Sequence, residues 1–336
     1  MKKLLKILGG FISAIVLIII GVLFYYHLQW PLEYPDTPYP DITASNDSTV
    51  IAEGEYLFHA VTHCTACHSG PNEILFADRE KALAMVPAGG YTWEMGPIGT
   101  VRSANITSHD EYGIGKLTDA EIARTIKYGI RSDHKTAFFM AGVGPMSDQD
   151  LTAIVSYLRT LAPNPNQVDP SEVGFLGKTV LQTMMLGYLK PKPYETPEYT
   201  PRGELSIKRG EYLANGPGAC VLCHSEMELA PAIKFVGPKL SGNPKPDPDP
   251  YDSSMELAYP NLTPDKKTGH IVEWTEETFI ARFRGGRAIK NSPMPWENFQ
   301  NMTDEDLASI YRYLMSLEPV EKEIGPSYRE VGWKAE

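Results

Sequence analysis

The chain has 336 residues, a formal net charge of -11 at pH 7, 42% hydrophobic and 22% charged residues, and four cysteines. An acidic surface serves solubility, argues against nucleic acid or anionic lipid as partners, and favours soluble proteins that present lysines.

Lys2, Lys3 and Lys6 precede an uncharged apolar run from Ile7 to Leu28, long enough as a helix to cross a bilayer. Lysines ahead of the run hold the N-terminus in the cytoplasm, and Phe24, Tyr25, Tyr26 and Trp30 cluster at its far end, where aromatic rings favour the headgroup region. The alternative, a cleaved signal peptide, would need a shorter core and a small-residue cleavage site where this chain has bulky residues, then Pro31, Tyr34 and Pro35. The expectation is a single-pass anchor in a bacterial inner membrane with everything after Trp30 in the periplasm, a compartment that does not hold thiols reduced. Residues 31–47, rich in Pro and Asp, read as an extended spacer.

Past the spacer, landmarks recur at a constant offset of 156 residues: Gly54 with Gly210, Tyr56 with Tyr212, Cys64 with Cys220, His68 with His224, Asn105 with Asn261, Ser147 with Thr303, and Tyr157 with Tyr313. A fixed long period reads as tandem domains. Each unit opens with a helix: Val50, Ile51, Gly54, Leu57, Phe58 and Val61 in the first, with Ser48 as N-cap, and Ser206, Ile207, Gly210 and Leu213 in the second. A middle helix runs from Thr118 to about Tyr128 and from Thr275 to about Arg284, stopped by Gly129 and Gly285. The last helix carries Leu151, Ile154, Val155, Leu158 and Leu161, or Leu307, Ile310, Tyr311, Leu314 and Leu317, behind the capping signatures Ser147 with Asp150 and Thr303 with Asp306. Glycine inside a helix costs about 1 kcal/mol relative to alanine, so Gly54 is expected to meet the last helix near Tyr157, and Gly210 near Tyr313, at a close crossing. No strand-length alternating segment stands out, and the fold class expected is all-α. The domains are residues 1–30 (anchor), 31–47 (spacer), 48–162, 163–204 (a Pro-rich linker with an apolar middle from Val173 to Leu189), 205–319, and a tail from 320 to 336 that wraps the surface.

The chemistry sits in Cys64-Thr65-Ala66-Cys67-His68 and Cys220-Val221-Leu222-Cys223-His224, which use every cysteine in the chain. Cys-x-x-Cys-His is the mark of covalently attached c-type haem. Two thiols one helical turn apart take up the two vinyl groups of a porphyrin, and the adjacent histidine lies under the iron. A zinc ribbon would set its two knuckles roughly fifteen to twenty residues apart, far closer than these. The cofactors expected are therefore two covalently bound haem c groups, on Cys64 and Cys67 and on Cys220 and Cys223, with His68 and His224 as axial ligands of iron.

A further axial methionine raises the potential of such an iron. Met294, between Pro293 and Pro295, is the choice for the second haem. Its counterpart at the repeat offset is Phe138, so the first haem takes Met140, with Met146 and His134 as alternatives; Met146 and Met302 each precede an N-cap and already have a role in a hydrophobic staple with Leu151 and Leu307. The backbone carbonyl of Pro238 is a candidate acceptor for the Nδ1 proton of His224, with Pro97 or Pro87 as its counterpart for His68. His27, His59, His63, His109 and His270 read as surface groups.

Gly-x-Tyr-Leu, Cys-x-x-Cys-His, a late Met-Pro and then Asp-Leu-x-x-Ile-x-x-Tyr-Leu resemble the class I cytochrome c family, matched twice over nearly all of residues 48 to 319. Asn105-Ile106-Thr107 with Gly113-Ile114-Gly115, and Asn261-Leu262-Thr263-Pro264-Asp265 with Thr268-Gly269, are similar to the cytochrome c subunits of membrane-bound alcohol, aldehyde and gluconate dehydrogenases. Those subunits commonly carry three haem motifs against two here. The resemblance implies two tandem class I cytochrome c domains that relay single electrons between a dehydrogenase or quinol-oxidising partner and a downstream acceptor or terminal oxidase, without catalysis of their own. Alternatives are the dihaem subunit of a cbb3-type oxidase, and a peroxidase or thiosulfate-oxidising enzyme with one open haem.

Overall fold

The computed structural model describes residues 2–70, 86–191 and 195–334. Pro193 of the linker lies outside the described residues, as do the ends of the anchor and tail segments. The apolar run folds as α1 (Lys2–Leu28), of which Lys6–Leu28 is long and apolar enough to cross a membrane.

The first helical set begins with α2 (Ser48–Tyr56), which continues through a single π-helical turn, Leu57–Val61, into α3 (Cys64–His68). Its cap is Asp47, whose carboxylate accepts from the Thr49 amide at 2.8 Å, and not Ser48 as expected; an anion one residue earlier meets both the free amides and the positive helix end. Then follow α4 (Asp119–Tyr128) and α5 (Asp148–Thr160), capped by Thr118 and Ser147. Gly129 ends α4 in the left-handed region at φ 71°. The interposed α6 (Phe175–Met184) belongs to the linker. The second set repeats the first: α7 (Ile207–Asn215), α8 (Cys220–Cys223), α9 (Glu276–Arg284), a short α10 (Trp296–Phe299) and α11 (Asp304–Ser316).

The glycine crossings occur in both sets. A Cβ on Gly54 would strike the Ala153 carbonyl and crowd Tyr157 Cβ, so α2 lies directly on α5; one on Gly210 would strike the Ser309 carbonyl, so α7 lies on α11 one turn before Tyr313. Leu57, Phe58, Val61, Leu151, Ile154 and Leu158 pack beneath the first crossing, and Leu213, Leu307, Ile310 and Leu314 beneath the second.

The all-α expectation does not hold. Among the described residues there are three small antiparallel sheets: β1 (Thr92–Glu94), β2 (Gly99–Arg102) and β3 (Glu172–Val173); β4 (Met227–Glu228) with β5 (Lys234–Phe235); and β6 (Asn243–Pro248), β7 (Met255–Tyr259) and β8 (Tyr328–Glu330). Strands of two to six residues are too short for alternation to register, and β6, with three prolines, reads as loop until its partner β7 is in place. The outer strands β3 and β8 come from the linker and the tail, so the tail wraps by adding a strand.

The spacer is not a free tether. Tyr34 N donates to the His134 carbonyl at 2.8 Å, Arg124 donates to the Tyr34 carbonyl at 2.9 Å and stacks on the Tyr39 ring, Ser45 N donates to Ser156 Oγ at 2.8 Å, and Ile42 is buried. The linker helix α6 packs against the end of α1 and against Ile98.

The two sets also hold each other through a reciprocal exchange at the repeat offset. Tyr56 of the first set donates to Asp306 Oδ2 of the second at 2.6 Å, and Tyr212 of the second donates to Asp150 of the first; the amides of Thr303 and Ser147 in turn donate to these two phenols at 3.2 and 3.1 Å. Burial and the neighbouring carboxylates push both phenols well above their ordinary pKa, so they remain donors. This explains why Asp150 and Asp306, three residues after their N-caps, do not close capping boxes: their carboxylates face tyrosines, and Asp306 also takes two bonds of 2.8 Å from fully buried Arg209. Gly54→Ala should lower stability by about 1–3 kcal/mol, the cost of overpacking against a backbone carbonyl, read as the denaturant midpoint of the full chain; an unchanged midpoint would contradict the crossing.

Candidate functional site

The left-handed region is unfavourable for any residue with a Cβ, by roughly 1–2 kcal/mol. The residue before the first cysteine nevertheless occupies it in both sets, His63 at φ 44° and Ala219 at φ 54°. This turn breaks the path of the preceding helix and starts a new one at the cysteine. Strained, repeated backbone of this kind marks functional positions. Nothing in the residue types His and Ala could have signalled it.

Each new helix presents its two thiols one turn apart. All four cysteines are free, and burial pushes the Cys64 thiol up to about 11 and the Cys67 and Cys220 thiols up to about 12, so they stand neutral. Among the described residues no three His, Cys, Asp or Glu side chains gather as a metal cage requires.

The histidines are held in the same way. His68 Nδ1 lies 2.7 Å from the Ala104 carbonyl and His224 Nδ1 lies 3.0 Å from the Pro260 carbonyl. A carbonyl only accepts, so Nδ1 carries the proton and the Nε2 lone pair is left for a metal. Burial lowers both imidazole pKa values, that of His224 to about 4, which keeps the rings neutral. The expected acceptors Pro238, Pro97 and Pro87 are replaced by Ala104 and Pro260, themselves 156 residues apart. Pro87 instead accepts from the Ile106 amide at 3.0 Å, and Pro238 from Ser241 Oγ at 2.7 Å.

The acceptor carbonyls immediately precede Asn105-Ile106-Thr107 and Asn261-Leu262-Thr263. Each asparagine is buried: Oδ1 receives the amide and hydroxyl of the threonine two residues on, at 3.0 and 2.7 Å in the first set and 3.0 and 2.8 Å in the second. Nδ2 donates to the Asn164 carbonyl at 2.9 Å or the Val320 carbonyl at 2.7 Å, the segments that follow α5 and α11. The Asn-x-Thr motif is thus a clamp that fixes the carbonyl which orients the histidine. The histidine's own carbonyl is tied by the Gly89 amide at 2.7 Å and the Gly242 amide at 2.9 Å. Both glycines have positive φ, 72° and 85°.

Met294 lies in a loop made stiff by two prolines and by Arg287, which is bound to both Glu297 oxygens at 2.8 and 2.6 Å and donates to the Met294 carbonyl at 3.2 Å. Its side chain packs on the core. Met140 sits half-buried in a 3-10 turn, Phe138–Gly142, where Phe139 lies 4.5 Å from Trp93. Met146 is buried together with Leu151, as a staple would have it. The ring of His134 is engaged by Arg124 Nη1 at 3.2 Å.

Of the remaining histidines, His270 is exposed, as expected, while His27, His59, His63 and His109 are partly covered. His59 Nε2 bonds Tyr157 Oη at 2.8 Å, matching Asn215 with Tyr313 at 2.8 Å in the second set. His63 packs edge-on against Phe299, and His270 and His27 lie tilted against Trp274 and Phe175, while His109 Nδ1 accepts the Glu111 and Tyr112 amides at 3.2 and 3.1 Å.

Residues 51–162 match the family model for cytochrome c. This stretch is similar to a cytochrome c domain. The whole chain is similar to the cytochrome c subunit of a quinone alcohol dehydrogenase of Gluconacetobacter polyoxogenes, 30% identical over 83% of this chain and 58% of the relative. It is also similar to a gluconate 2-dehydrogenase cytochrome c subunit of Pantoea cypripedii (26%; 81% of this chain, 60% of the relative) and a diheme cytochrome c-type protein of Cereibacter sphaeroides (25%; 80% and 86%). The chain spans little more than half the length of the dehydrogenase subunits it matches. A cytochrome c domain implies covalently bound haem c, and the residues present fit that group: paired neutral thiols one turn apart beside a histidine whose Nδ1 is already committed to a carbonyl.

Asn261→Ala should cost about 1–3 kcal/mol, the penalty for leaving buried partners unpaired, in the denaturant unfolding of the full chain. Burial holds the His59 pKa below its ordinary 6.5. A folded pKa depressed below the unfolded value means stability that is present above 6.5 and lost as pH falls through the folded pKa. His59→Asn, which copies Asn215, should therefore reduce the loss of stability on acidification below 6.5, measured as thermal midpoint against pH.

Proposed function

We propose that the chain is a membrane-anchored electron carrier with two haem c groups, one in each of two tandem domains spanning residues 48–162 and 205–319. The single observation that carries this reading is the duplication, 156 residues apart, of the whole site: cysteine pair, left-handed entry residue, histidine, acceptor carbonyl and asparagine clamp. Cys64 and Cys67 would bond one porphyrin, and Cys220 and Cys223 the other. His68 and His224 would offer Nε2 to the irons, and Met294 would offer its thioether to the second. In the first domain Met140 takes that role, since Met146 is spent in the core and the ring of His134 is held by Arg124. When bound, haem iron supplies a one-electron couple whose potential a methionine ligand raises. The protein's part is to hold the ligands rigidly, so that little reorganises when charge changes.

The anchor α1 lies in the inner membrane with Lys2, Lys3 and Lys6 at its cytoplasmic end, and both haem domains face the periplasm. Relatives named as subunits of quinone alcohol and gluconate dehydrogenases favour a membrane-bound dehydrogenase as donor, with a quinone or terminal oxidase pool downstream.

Purified protein should give two equivalents of pyridine haemochrome per chain. Cys220→Ala with Cys223→Ala should leave one, and because the sets share the tyrosine and aspartate exchange, should lower the stability of both. Met294→Ala should keep both haems while lowering the potential of one and opening it to carbon monoxide; an unchanged spectrum would refute that ligand.

A further inference from the structure

The linker helix α6 has two faces of different character. One lies on the protein: Leu181 is fully buried, Gly177 sits against the Ile98 carbonyl, and Gln182 Nε2 donates to the Tyr26 carbonyl of α1 at 2.8 Å. Lys178 Nζ, 3.3 Å from His27 Nδ1, and Phe175, 5.2 Å from the His27 ring, add to the same junction. The other face is apolar and uncovered. Leu176 is 52% exposed and Met184 67%, about two turns apart in one stripe, with Phe175, 46% exposed, at the edge nearest α1. Thr183, exposed within that stripe, turns its hydroxyl back onto the Thr179 carbonyl at 2.7 Å.

We infer that α6 is an interfacial helix that lays its Leu176 and Met184 face, with Phe175 at its edge, into the headgroup boundary of the bilayer beside the end of α1. The inference rests on the reading of α1 as a membrane anchor. Lipid is the occupant because the stripe continues the exposed apolar surface of α1, whose last turns carry Phe24 and Tyr25, 55% and 58% exposed, at the same junction. Ten residues at about 1.5 Å each reach roughly 15 Å, half of a hydrocarbon core, so α6 lies along the membrane and does not cross it. With a net charge of -11 the contact is apolar and not an attraction to anionic headgroups. Two attachments, α1 and α6, would fix the orientation of the first haem domain over the bilayer where a single helix would leave it free to swivel.

The test places a spin label at Leu176→Cys and at Met184→Cys in the full, haem-loaded chain in phosphatidylcholine vesicles, with Leu17→Cys inside α1 and Glu305→Cys on α11 as references. Haem content confirms that each variant folds. Relaxation by a water-soluble nickel chelate should be at least about three-fold weaker at 176 and 184 than at 305, while relaxation by oxygen stays strong, as for a side chain a few ångströms below the headgroups. Nickel access equal to that at 305 would overturn the inference while a lipid-buried label at 17 leaves the anchor intact. Labels at 176 and 184 shielded from both reagents would mean a protein occupant and would overturn it as well. Nickel access at 17 would instead bring down the anchor reading itself.

Discussion

Everything about the two sites follows from a carbonyl that cannot move. An imidazole ring is symmetric enough to turn either nitrogen towards a ligand, and a fixed acceptor on Nδ1 leaves Nε2 as the atom with a free lone pair. Ala104 and Pro260 supply that acceptor, and Asn105 and Asn261 hold it by spending their whole amide on a threonine two residues ahead and on the chain that leaves the last helix. The clamp therefore ties the histidine to the far end of each helical set. Packing at the glycine crossing and orientation at the histidine become one mechanical unit.

A second constraint joins the two units. Tyr56 and Tyr212 reach across to Asp306 and Asp150, and Asn298 donates to the His59 carbonyl at 2.6 Å and to Thr65 Oγ1, inside the first cysteine pair, at 2.7 Å. A buried ion pair such as Arg209 with Asp306 contributes little net stability once desolvation is counted, yet it tolerates one geometry only. Both residues belong to the second set, where the pair fixes the carboxylate that accepts from Tyr56 of the first. The sets are thus not two beads on a string, even though their separation in the sequence suggests it.

The helices, the caps at Ser147 and Thr303, and the close approach at Gly54 and Gly210 were legible because each depends on contacts within a turn or on a single residue type. The strands were not, since β3 and β8 exist only by pairing with segments about 70 residues away. Pro238 attracted attention by its place near the second cysteine pair, but proximity in sequence cannot say which carbonyl a ring will face. The Asn-x-Thr segments were noticed only as a likeness to known subunits, without their mechanical role.

By itself the amino-acid sequence determined the duplication, the two Cys-x-x-Cys-His motifs and the apolar N-terminal run, because these are encoded in residue types at short or strictly repeated spacing. Only the tertiary structure decided which carbonyls orient the histidines, which tyrosines cross between the sets, and that the spacer and α6 fold back onto the protein. Those outcomes depend on pairs of residues tens to hundreds of positions apart, and the geometry that brings them together is a property of the packed chain.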